Sequence, residues 1–119
     1  MFTIYGIRNC NTVKKSVDWL NANNIPFEFH DYKKSGISKR KLENWCKQIS
    51  WNLLLNQKGI TWRNLDAERK TGITDETGAI EFMLEKTSVI KRPLIENNEG
   101  LIVAFGFNEE EYEKVFAST

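Results

Sequence analysis

The first thirty-two residues constrain this chain more than any other stretch, because their hydrophobic period switches twice. Phe2 to Tyr5 (FTIY) is a β-branched and aromatic run that stops at Gly6, the pattern of a strand. After a polar turn, Val13, Val17 and Leu20 recur at i, i+4 and i+7, with Lys14, Lys15, Asp18 and Asn21 elsewhere. That spacing predicts a helix with one buried stripe. Asn11 or Thr12 is placed to cap it, and the segment Asn21 to Asn24 ends it before Pro26. FEFHDY (Phe27 to Tyr32) then sets Phe27, Phe29 and Asp31 against Glu28, His30 and Tyr32, a second strand. Strand, helix and strand within so short a span make a βαβ unit, with parallel pairing and a right-handed crossover.

Downstream, the periodicity turns helical. Ser38 is placed to cap a helix with Leu42, Trp45, Cys46 and Ile49 on one face. An irregular stretch from Ser50 to Lys70 is anchored by Leu53, Leu54, Leu55, Trp62 and Leu65. Thr74 is read as the cap of a further helix, with Asp75 and Glu76 suited to its positive end and Ile80, Met83 and Leu84 as its stripe. Two short strands follow, Leu94 to Glu96 and Leu101 to Ala104, joined by the turn chemistry of Asn-Asn-Glu-Gly into an antiparallel hairpin. Asn108 caps a last helix with Tyr112, Val115 and Phe116 inward. The order β-α-β, helical block, β-β-α describes an α/β domain over residues 1–119 with a mixed central sheet and a helical insertion at about 36–88.

Seventeen basic against sixteen acidic residues leave a formal charge of +1, which offers no electrostatic basis for binding nucleic acid or an anionic membrane. No apolar run approaches the ~20 residues that span a bilayer. The opening residues also lack the charged start and apolar middle of a signal peptide, so the cytosol is the expected compartment. Two cysteines in a reducing compartment argue for thiol chemistry over a disulfide scaffold. A single histidine, His30, leaves too few soft ligands for a zinc site, so no metal is expected. The run Lys33, Lys34, Lys39, Arg40, Lys41 and Lys47 reads as a solvated face, and the four tryptophans read as packing residues.

Cys10 is the strongest chemical signal. It lies where a strand ends and a helix begins, where unpaired backbone N–H groups favour an anion. Arg8, Lys14 and Lys15 add positive charge nearby in sequence, and such surroundings lower a thiol pKa. Three residues on is Val13, so there is no CxxC pair, and a reducing cycle would need an outside thiol. Cys46 is the one internal candidate for a resolving thiol, but its place on an apolar stripe favours packing. Arg92-Pro93 is the second signal: a proline just ahead of a strand is a candidate cis bond, and Arg92 carries a planar fork suited to oxyanions or carboxylates.

Taken together, TIYGIRNCNTVKK, FHDYKKSGIS, ITWRNLD, IKRPL and GFNEEEY resemble the arsenate-reductase-like (ArsC) family over essentially the whole chain. Within that family the chain looks most like the YffB-type reductases, with the Spx transcription regulators as neighbours. The resemblance implies a thioredoxin-like fold with a helical insertion, a reactive cysteine at Cys10 and a cis-proline at Pro93. It further implies that Arg92 and the backbone amides around Asn11 and Thr12 bind an anion beside the thiol, with Lys14 and Arg8 contributing charge. The activity implied is that of a thiol-dependent oxidoreductase acting on a small oxidised thiol or an oxyanion. It would hold no cofactor tightly and would be recycled by glutathione or a glutaredoxin. The alternatives implied are a true arsenate reductase, or a Spx-like redox sensor that contacts RNA polymerase. Two arginines that arsenate reductases of the family carry are, by position, Asn56 and Gly106 here. Their histidine four residues before the catalytic cysteine is Gly6, and their serine three residues after it is Val13.

Overall fold

The computed structural model describes residues 1–117, which divide into two compact units. One comprises Met1–Ser35 and the chain from Arg92 onward; the other is Gly36–Lys91.

The first unit is built on a four-stranded sheet of order β2-β1-β3-β4. Strand β1 (Phe2–Gly6) pairs in parallel with β2 (Phe27–Asp31) and antiparallel with β3 (Leu94–Glu96), which pairs antiparallel with β4 (Ile102–Phe105). Helix α1 (Asn11–Ala22) crosses between β1 and β2, as the βαβ pattern requires. Register decides which face each residue serves: Ile4 lies between Phe29 and Ile95, and Tyr5 between His30 and Leu94. Ile4 and Ile95 join Leu20 and Ile25, and Tyr112 and Phe116 of α8 (Glu109–Phe116), in one apolar core. Burying each such aliphatic side chain contributes roughly 1.5–3 kcal/mol. The alternate residues Tyr5, Leu94 and Glu96 belong to the opposite face and are also buried.

Several local expectations shift by a residue or two. The N-cap of α1 is Cys10 itself, not Asn11 or Thr12. Strand β2 ends at Asp31, because Tyr32 opens a one-turn helix, α2 (Tyr32–Ser35), whose Lys33 amide donates to Asp31 Oδ1 at 2.9 Å. Asn108 caps α8 as read, but Val115 faces outward, 38% exposed. Ser16, polar and unremarked in the helical stripe, is fully buried. Its Oγ lies 3.2 Å from the Thr12 carbonyl, to which it donates, and 3.0 Å from the Tyr112 hydroxyl, which donates to the Gly106 carbonyl at 2.6 Å. This chain of polar contacts ties the first turns of α1 to the β4–α8 connection.

The second unit is helical. Helices α3 (Lys39–Cys46) and α7 (Glu76–Glu85) are joined through three short helical turns, α4 (Trp51–Leu54), α5 (Ile60–Arg63) and α6 (Ala67–Gly72), where the sequence shows no periodicity. Leu42, Trp45, Leu54, Leu55, Ile80 and Met83 are among its buried side chains. Ser38 caps α3 as expected, accepting from the Lys41 amide. Asp75, not Thr74, caps α7, its carboxylate accepting from the Gly78 amide at 2.8 Å. The unit extends to Lys91, past the expected boundary near 88. Backbone bonds explain this: the Asn56 amide donates to the Val89 carbonyl at 2.6 Å, and the Lys91 amide to the Leu54 carbonyl at 2.8 Å. Among the described residues no helix is long and apolar enough to cross a membrane.

Candidate functional site

Two features of the sheet unit bring the site together. The chain leaves β1 at Gly6 and enters α1 through a short turn that places Cys10 at the N-cap in extended conformation (φ −117°, ψ 122°). The Arg92–Pro93 peptide is cis and leads directly into β3, beside β1. Arg92 and Cys10, far apart in sequence, are thereby neighbours.

Gly6 is required by that entry. A Cβ at position 6 would stand 2.7 Å from Val13 Cγ2, inside contact distance, because α1 begins tightly against the end of β1. The pair Gly6 and Val13 is therefore a single packing solution. A histidine at position 6 would collide with the valine at 13.

Cys10 is half-buried. Burial is the largest influence on its thiol and acts upward, but it is outweighed. The amide N–H of Val13, the charge of Arg92, the amide N–H of Thr12 and a hydrogen bond from the Arg92 side chain together hold the pKa below the ordinary thiol value. The two amides follow from capping geometry. An N-cap side chain faces the N–H groups of the second and third helical residues, and with Cys10 as cap these are Thr12 and Val13. Asn11, whose amide the resemblance also places in the cradle, is the first helical residue and is not among the influences on the Cys10 thiol.

The other expected residues are distributed unequally. Arg92 acts on the sulfur directly, and Pro93 is buried behind it. Arg8 turns elsewhere: its Nε is 3.8 Å from Asp31 Oδ2 and its guanidinium lies 5.1 Å from the Phe29 ring centroid. Lys14 joins Arg8 along a groove of about 260 Å³ floored by Val13, Val17, Phe27 and Phe29, and neither cation is among the influences on Cys10. Sequence proximity overstated both.

Tyr5, Glu96 and Tyr32 form a further buried polar group in the sheet unit. Tyr5 donates its hydroxyl to Glu96 Oε1 at 2.5 Å, and Glu96 is only 4% exposed. The Tyr32 hydroxyl is buried without a hydrogen-bond partner among the described residues and lies within the fields of Tyr5, Arg92 and Glu96. Burial first, then Tyr5 and Glu96, push its pKa far up, against the opposing charge of Arg92. A signal was available in sequence: Glu96 is a carboxylate inside a strand that otherwise reads as apolar.

In the helical unit, burial first and Glu76 second push the Cys46 thiol up to about 11. The two positions where the family's arsenate reductases carry arginine have local roles. Asn56 Oδ1 accepts from the Lys58 amide at 3.2 Å. Gly106 sits at φ +79°, where any other residue would be strained, and its amide donates to the Pro93 carbonyl at 2.8 Å. Among the described residues no group of three or more His, Cys, Asp or Glu is arranged to hold a metal ion.

A mixed sheet of this order, with a thiol at the first strand-to-helix junction and a cis-proline leading into the third strand, defines a thioredoxin-like α/β protein. The chain belongs to the ArsC family, whose model matches residues 5–115. A Haemophilus influenzae protein is 42% identical to it across 98% of this chain and all of its own length. The solved structure of the YffB (PA3664) protein is 38% identical and superposes with a TM-score of 0.89, covering 97% of this chain and 98% of that one. The global transcriptional regulator Spx of Streptococcus mutans is 25% identical over 93% of this chain and 80% of its own.

Proposed function

We propose that this chain is a monothiol reductase that uses Cys10 as its only nucleophile and glutathione, directly or through a glutaredoxin, as its reductant. One observation carries the reading: two helix-start amides and a guanidinium converge on a half-buried sulfur and favour its thiolate. The substrate class is a disulfide between glutathione and another thiol. The Cys10 thiolate attacks the glutathione sulfur, a new S–S bond forms, and the other thiol leaves as a thiolate that takes a proton from solvent. Glutathione then attacks the Cys10 adduct, releasing oxidised glutathione and restoring the thiolate. The net change is one disulfide reduced and one formed. Arg92 and the amides of Thr12 and Val13 stabilise the charge that spreads over the sulfurs in each transfer. The chemistry needs no resident cofactor, and the cytosol supplies the reductant.

Cys46 is not a resolving thiol in this scheme, since burial and Glu76 keep it protonated at neutral pH. Arsenate reduction is disfavoured because neither Asn56 nor Gly106 carries a charge for the oxyanion. The likeness to Spx supports a second reading, a redox-sensing regulator that contacts RNA polymerase. Against it stands the lone cysteine in CNTV.

The test is intact-protein mass spectrometry after incubation with oxidised glutathione, followed by turnover on a glutathionylated model peptide. One glutathionyl group should appear on Cys10, persist in Cys46→Ser, vanish in Cys10→Ser and be removed by reduced glutathione. Absence of any Cys10 adduct would sink the reading. Polymerase subunits recovered with the purified chain, and no turnover, would promote the regulator instead.

A further inference from the structure

The first turn of α1 and the segment that follows Arg92 are two walls of the thiol site, and one buried hydroxyl is linked to both. Tyr112 is 1% exposed and Ser16 is fully buried. The Tyr112 hydroxyl donates to the Gly106 carbonyl at 2.6 Å, and the Gly106 amide donates to the Pro93 carbonyl at 2.8 Å. On its other side the Tyr112 oxygen lies 3.0 Å from Ser16 Oγ, which is 3.2 Å from the Thr12 carbonyl. Tyr112 has one proton and gives it to Gly106, so the Ser16 proton is shared between the Tyr112 oxygen and the Thr12 carbonyl. That carbonyl belongs to the same planar peptide unit as the Val13 N–H, the strongest of the groups that favour the Cys10 thiolate. A donor at one end of the unit fixes its plane and polarises the N–H at the other. The Tyr112 ring is itself held edge-on by Trp19, Phe107 and Phe116, with centroids 5.4, 5.1 and 5.7 Å away. Burial, helped by Glu111 and opposed by Ser16, pushes its pKa up to about 12, so the hydroxyl keeps its proton while Cys10 titrates.

We propose that Tyr112 is a positioning residue for the chemistry at Cys10. Through Ser16 it holds the Thr12–Val13 peptide toward the sulfur, and through Gly106 it holds the segment that carries Arg92. The inference rests on the reading of Cys10 as the reactive thiol, and it is independent of which disulfide is reduced. A Tyr112 that served packing alone would stabilise the sheet unit and leave the acidity of Cys10 untouched. A positioning Tyr112 governs both, because the amide and the guanidinium that favour the thiolate sit at the two ends of its hydrogen-bond chain.

The experiment is the pH dependence of Cys10 alkylation by iodoacetamide, read by peptide mass spectrometry in the wild type, Tyr112→Phe, Ser16→Ala and Ile25→Val. Urea unfolding of each variant measures stability separately. Tyr112→Phe keeps the ring packing and removes only the hydroxyl. Its midpoint should rise by about half a unit, an approximately threefold loss of rate below the midpoint. Ser16→Ala, which cuts only the arm to α1, should move the midpoint the same way by less, and it reports alone if Tyr112→Phe does not fold. Ile25→Val trims the same apolar core beyond the far end of α1, and should lower stability without moving the midpoint. A midpoint that is unchanged or falls on loss of the hydroxyl, or that rises equally in Ile25→Val, overturns the proposal. A wild-type midpoint no lower than that of a free thiol overturns the functional reading instead, so the two failures are distinguishable.

Discussion

The two cysteines occupy opposite kinds of position, and the contrast shows what makes a thiol reactive. Cys10 caps the N-terminus of α1, where amide N–H groups converge; Cys46 is the last residue of α3, at the end where carbonyl groups point outward. Both are half-buried, and burial acts upward on both. For Cys10 that influence is outweighed by amides and Arg92, whereas for Cys46 it is reinforced by Glu76. Exposure therefore does not separate them. Backbone direction and the sign of the nearest charge do.

The largest expected effect is the difference in reactivity between the two. With a pKa of about 11, Cys46 has on the order of one thiolate in ten thousand at pH 7. Cys10, whose value lies below the ordinary range, should be alkylated at least about a hundredfold faster at that pH. Peptide mapping after a short iodoacetamide pulse measures the ratio, and comparable labelling of both would break the comparison. Next in size is Arg92→Gln, which removes both a charge and a hydrogen bond from the sulfur. The Cys10 midpoint should rise by about one unit while Cys46 stays unmoved. A shift at both sites would mean a general loosening. The smallest effect is expected for Glu76→Gln. Because burial is the larger influence on Cys46, its midpoint should fall by only about half a unit and remain above that of a free thiol. A fall to the ordinary thiol range would show that charge, not burial, controls this thiol.

Much of the architecture is legible in local pattern. The FTIY and FEFHDY runs, the stripe Val13, Val17 and Leu20, and the Asn-Asn-Glu-Gly turn each announce their element, and the sheet unit contains them all. Expectations slipped where two neighbours competed for one role. Asp75 took the cap that Thr74 was expected to fill, because its carboxylate reaches the Gly78 amide. Cys10 displaced Asn11 and Thr12 as cap because Gly6 lets α1 start close against β1. Arg8 takes its place for a tertiary reason: Asp31 and Phe29, on the neighbouring strand, hold its guanidinium.

By itself the sequence determined that a strand would hand over to a helix at a cysteine, and that a β-β-α segment would close the sheet. Those follow from periods of two and of 3.6 residues, which any short window carries. Only the tertiary structure decided which groups the sulfur meets. Strand pairing set β3 beside β1, bringing Arg92 to Cys10 and Glu96 to Tyr5 from opposite ends of the chain. Contacts of that range leave no periodic trace in the sequence, because they depend on register across the sheet and not on spacing along it.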